Sequence, residues 1–68
     1  MTNNELYDLY RRTIFELFDP ERDIDDITDE YNQAISDIAM DYRYSDLHDW
    51  QVRTLYAALD GVKRVRGL

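Results

Sequence analysis

Apolar side chains in this chain recur every three or four positions in three separate stretches, and nowhere alternate with a period of two over a useful length. That spacing is the signature of a helix face, not of a half-buried strand. The first stretch predicts a helix from about Glu5 to Phe18, with Leu6, Leu9, Tyr10, Thr13, Ile14 and Leu17 on one stripe and Asn4 as its N-cap. Asp8 and Arg12 stand four apart in the favourable order. Proline disfavours helical geometry at Asp19, so Asp19-Pro20-Glu21 ends this helix and leads into either a short turn or the start of the next.

The second stretch predicts a helix from about Asp23 to Arg43, with Ile24, Ile27, Tyr31, Ala34, Ile35, Ile38, Ala39 and Tyr42 facing one way. Tyr44-Ser45-Asp46 reads as a break, with Ser45 capping a third helix from about Asp46 to Arg64. Val52, Leu55, Tyr56, Leu59 and Val62 form its stripe, and Gly67 is placed to terminate it. Lys63, Arg64 and Arg66 suit the negative end of its dipole. Three helices with short connections predict an all-α fold, a small three-helix bundle with antiparallel neighbours, in one domain spanning residues 1–68.

Size limits what such a bundle can bury. A chain of 68 residues hides only about 60% of the surface its unfolded form exposes, so its core is thin. There is no cysteine to staple it, and the single histidine, His48, excludes a multi-histidine metal site. Tight helix packing or self-association is the expected supplement. The N-terminal residues show neither the basic nor the apolar region of a secretory signal, and no apolar run approaches the roughly 20 residues that span a bilayer. A cytoplasmic location is the expectation.

Charge is the second constraint. The net charge is −7, unevenly placed. Residues 16–49 hold twelve acids against Arg22 and Arg43, whereas the last nineteen residues hold Arg53, Lys63, Arg64 and Arg66 against Asp60. A direct nucleic-acid binder needs a basic footprint, and an anionic membrane surface needs the same. Most of this chain is the reverse, so neither partner is expected.

Two aromatics break the stripes. Phe15 projects to the polar side of the first helix, near Asp8, Arg11 and Arg12. Trp50 projects away from the Val52-Leu55-Leu59 stripe, above a lane of small residues: Thr54, Ala57, Ala58 and Gly61. Three explanations fit. Helix 3 is a central helix covered on both flanks, or its Trp50 face meets a second copy or another protein, or that face lines a ligand pocket. Phe15, Trp50, Thr54, Ala57 and Gly61 are the candidate dimer or interface residues.

Recognisable chemistry is mostly absent. One histidine and no cysteine leave no nucleophilic triad, and two glycines near the C-terminus make no phosphate loop. The run Asp23-x-Asp25-Asp26-x-x-Asp29-Glu30 lacks the glycine and final glutamate of a calcium-binding EF-hand loop. Asp46, His48 and Asp49 cluster at the start of helix 3, where ordinary acidic capping accounts for them. No catalytic residue, metal or cofactor is expected.

What remains is the outer face of helix 2. Asp26, Glu30, Asp37 and Asp41 form one row, and Asp25 and Asp29 another. Residues one turn apart stand about 6 Å apart along the axis, a spacing that roughly resembles a phosphate ladder. These six acids are the candidate partner-binding face, which would engage a protein with a basic surface, in the manner of a nucleic-acid mimic. A charge run is more often a solvated face, and the proteome of a salt-adapted organism would look similar. Against that, the acidic segment has few Lys or Arg to neutralise it by i, i+4 pairing. The expected function is a small non-enzymatic binding protein that inhibits or modulates a nucleic-acid-handling partner. Small phage or mobile-element inhibitors share this size and charge by analogy. The alternative is a self-associating regulatory module without mimicry, and edge tyrosines such as Tyr7 and Tyr44 suit either.

Overall fold

A computed structural model describes all 68 residues as three helices: α1 (Asn3–Glu16), α2 (Ile24–Arg43) and α3 (Asp49–Arg66). There are no strands, and the chain is a small three-helix bundle measuring 33 × 17 × 16 Å. Contacts at its two ends establish the directions. Asn3 donates from Nδ2 to the carbonyl of Asp46 at 2.7 Å, joining the start of α1 to the approach to α3. At the other end, Arg66 donates to the carbonyls of Asp19 at 2.7 Å and Arg22 at 2.8 Å, joining the end of α3 to the α1–α2 turn. Successive helices are therefore antiparallel, and α1 and α3 run the same way in a constant register. Asn3 meets Asp46, Tyr7 meets Trp50 and Phe18 meets Gly61, each pair 43 residues apart.

Each helix begins and ends for local reasons that move the expected boundaries. α1 starts earlier than Asn4 would cap it. Thr2 accepts from the Glu5 N–H at 3.2 Å, while the Glu5 side chain accepts from the Thr2 N–H at 3.4 Å, closing a capping box. Its last turn tightens, with Leu17 and Phe18 bonding back three residues to Ile14 and Phe15. Asp19-Pro20-Glu21-Arg22 is then a turn: Asp19 Oδ1 accepts from the Glu21 N–H at 3.0 Å, and the Arg22 N–H returns to the Asp19 carbonyl. Pro20 sits in that turn, and α2 begins after Asp23.

Ser45 does not cap α3. It lies at φ 65° as the left-handed residue that closes α2. The Ser45 N–H bonds to the Tyr42 carbonyl at 3.1 Å and the Asp46 N–H to the Asp41 carbonyl at 2.8 Å, the paired bonds of a Schellman ending. Leu47 then drops into the core, and α3 starts only after His48, whose N–H donates to Gln51 Oε1 at 2.9 Å. Leu47 and Val52 flank the cap as a buried hydrophobic staple. Gly67, at φ 73°, ends α3 as expected.

The core comprises Ile14 and Leu17 of α1, Ile27, Ala34 and Ile38 of α2, Leu47, and Val52, Leu55, Leu59 and Val62 of α3. Leu9, Ile24, Ala39 and Tyr42, which the stripes would bury, are exposed at the margins. One polar side chain is fully buried, Gln51, which also reaches Asn4 Oδ1 from Nε2 at 3.5 Å. No helix is long and apolar enough to cross a membrane.

Candidate functional site

The six acids of α2 do not form one uniform surface. α2 is fixed to the core through Ile27, Ala34 and Ile38, so its carboxylates are carried on a rigid rod. Asp25, Asp26 and Asp29 are exposed and form no ion pair. Asp37 is also exposed, accepting only from Gln33 Nε2 at 2.9 Å. The other two are engaged by the fold. Glu30 pairs with Arg22 at 2.7 Å, and that hydrogen bond holds its carboxyl below the ordinary carboxylate range while raising the Arg22 guanidinium. Asp41 is half-buried and accepts from the Tyr10 hydroxyl of α1. Burial first, then this hydrogen bond and the charges of Asp41 and Asp37, push the Tyr10 hydroxyl far above the ordinary tyrosine range.

The partners of Glu30 and Asp41 come from outside α2. Helical spacing within α2 contains no cation to pair with Glu30, and the cation arrives from the α1–α2 turn. Likewise, only the antiparallel crossing brings Tyr10 to Asp41, 31 residues away. The free acidic surface is thus Asp25, Asp26, Asp29 and Asp37.

The two pattern-breaking aromatics are both exposed, Phe15 on α1 and Trp50 on α3. Phe15 is 76% exposed and Trp50 53%. The parallel register of α1 and α3 leaves Phe15 on a groove of about 590 Å³, lined by Asp8, Arg11, Arg12, Phe15, Thr54 and Ala58 over a floor that includes Ile14 and Leu55; Trp50 lies outside its lining. Part of the small-residue lane is used within the chain. Phe18 lies against Gly61, close enough that an added Cβ would touch its ring at 3.5 Å. Trp50 is met edge-on by Tyr7, with ring centroids 5.1 Å apart, and Arg11 lies over Tyr7 at 5.5 Å. α3 packs on both α1 and α2, but α1 covers the Trp50 face only at its two ends. The middle, around Phe15, Thr54 and Ala58, is open; Ala57 is exposed beside it.

The charged residues that line the groove are Asp8, Arg11 and Arg12, and the ion pairs along α3 lie outside its lining. The Asp8 carboxylate faces Arg11 at 3.8 Å, Arg53 pairs with Asp49, and Arg64 with Asp60 at 3.5 Å. Arg12 instead points Nε toward the Asp8 carbonyl at 3.5 Å. Asp49 also accepts from the Tyr42 hydroxyl at 2.8 Å, which raises that hydroxyl's pKa. Asp46, His48 and Asp49 serve the α2–α3 junction, and no three His, Asp or Glu side chains gather as a metal-binding set. Sequence reasoning missed Arg66, read only as a favourable charge near the end of α3. Its guanidinium is a clasp on the α1–α2 turn, and nothing in the local pattern announces a bond across 44 and 47 residues.

The fold and its surfaces define a small helical bundle with a free acidic side and an open apolar groove. Neither a protein-family model, nor a curated protein, nor a solved structure matches it.

Proposed function

We propose that this protein is a non-enzymatic binding protein whose acidic α2 side engages a basic surface on a nucleic-acid-handling protein and blocks or modulates it. The observation that supports this reading is that Asp25, Asp26, Asp29 and Asp37 stand exposed on one rigid helix without a paired cation, while Arg53, Arg64 and Arg66 of α3 are occupied elsewhere. Aspartate is short, so little side-chain freedom is lost when such a surface is matched by lysines and arginines. Complementary charge would speed the encounter and make it sensitive to salt.

Affinity capture from lysate at low and high salt tests this, comparing the native chain with an Asp25→Asn/Asp26→Asn/Asp29→Asn/Asp37→Asn variant. The expected result is a partner with a basic surface, held by the native chain at low salt, released at high salt and lost with the variant. Retention of every partner by the variant, with the same salt dependence, overturns the reading. Glu30 and Asp41 are left unsubstituted because each is already partnered within the chain.

A further inference from the structure

The thin core and the open groove are two aspects of one feature. Only 11 of 68 residues are buried, yet a phenylalanine stands 76% exposed. Directly beside Phe15 is a hollow walled by Phe18 and Thr54, with Ile14, Leu55 and Ala58 beneath. An aromatic knob and an apolar hollow thus lie on one face. A two-fold contact needs just that arrangement, because the same patch must act on both partners at once.

We propose that a second copy of this chain docks on the α1/α3 side, with the Phe15 ring of each copy entering the groove of the other. Charge selects this occupant. At −7, two copies repel, and they do so most across α2, where Asp25, Asp26, Asp29 and Asp37 have no cation among them. The groove lining itself carries both signs: Arg11 and Arg12 stand with Asp8, Arg11 faces the Asp8 carboxylate at 3.8 Å, and Arg12 has no ion pair within the chain. A uniformly charged partner would meet the wrong sign somewhere along it. A second copy brings both signs, and Arg12 of one copy can answer Asp8 of the other. A stable interface takes about 800 Å² from each partner. The whole chain exposes 4741 Å², so the contact must run along most of this side, from exposed Trp50 past Phe15 to exposed Val65. The contact does not depend on the acidic face, and the two readings stand or fall separately.

Sedimentation equilibrium of the full chain over a concentration series, up to about 1 mM, tests the proposal. The mass is expected to rise from 8.2 kDa toward twice that value. Phe15→Glu is expected to weaken dimerisation by about 30-fold or more. Its far-ultraviolet circular dichroism should be unchanged, since Phe15 is exposed. Thr54→Arg, which fills the hollow from the other helix, should act the same way. Higher salt should tighten the native dimer by screening self-repulsion. A native chain that stays at 8.2 kDa throughout overturns the proposal. So does a Phe15→Glu or Thr54→Arg chain that dimerises like the native one, or a dimer that dissociates when the four α2 aspartates become asparagines.

Discussion

α2 turns four aspartates to solvent with no cation paired to them, whereas the α1/α3 side turns out a bare phenyl ring beside Asp8, Arg11 and Arg12, which carry both signs. The first surface attracts at a distance and holds weakly at close range, because exposed charges remain hydrated. The second attracts only on contact, through area removed from water. Salt should therefore move them in opposite directions. Screening shortens the reach of charge to about 3 Å at 1 M, weakening whatever α2 binds and relieving repulsion between copies. A surface's sign of response to salt reports which kind it is.

The largest expected effect comes from neutralising the acidic side. The four-aspartate variant should lose at least about 30-fold in affinity for a lysine-rich helical peptide at low salt, measured by fluorescence anisotropy, with no weakening of self-association. If both fall together, the two surfaces are one. Next in size is the contrast within α2 itself. Tyr10→Phe strips the half-buried Asp41 of its donor and should cost about 1–2 kcal/mol in urea unfolding. Asp26→Asn, on the exposed side, should stay within about 0.5 kcal/mol.

A smaller effect follows from titration. The carboxyl of Glu30 has a lowered pKa in the fold, so its contribution is present above the unfolded value of about 4.3 and is lost as pH falls through the folded one. The Tyr10 hydroxyl is raised, so its contribution is present below about 10 and is lost as pH climbs. Thermal midpoints against pH should show an acid limb that shrinks in Arg22→Gln and an alkaline limb that shrinks in Tyr10→Phe. The smallest change tests the scaffold alone. Ser45→Gly relieves a left-handed residue that carries a side chain and should raise stability by about 0.5–1 kcal/mol, leaving salt responses on both sides unchanged.

Much of this architecture was legible beforehand. Ile14, Leu17, Ile27, Ala34, Ile38, Val52, Leu55, Leu59 and Val62 all lay on the expected stripes and are all core. The capping box that starts α1 is written in the sequence as Thr2-x-x-Glu5, two residues before Asn4. Leu47 could not be placed by periodicity, since it lies between helices where no repeat runs. Gln51 is polar and buried because α3 starts at Asp49, which makes it the third helical residue and lets it serve the cap at His48.

The candidate surfaces divide in the same way. The clustering of aspartates and the misfit of Phe15 and Trp50 are properties of spacing along one helix, and spacing is carried by the sequence itself. Which acids stay free, and whether Phe15 and the small-residue lane share a groove, depend on how three rods are laid together. Arg22 reaches Glu30 from a turn, Tyr10 reaches Asp41 across an antiparallel pair, and Phe18 fills the space over Gly61. Local periodicity determined the helices and their apolar faces. Only the tertiary structure decided that Glu30, Asp41 and Gly61 had partners, because those partners come from a turn or another helix, 8 to 43 residues away in sequence.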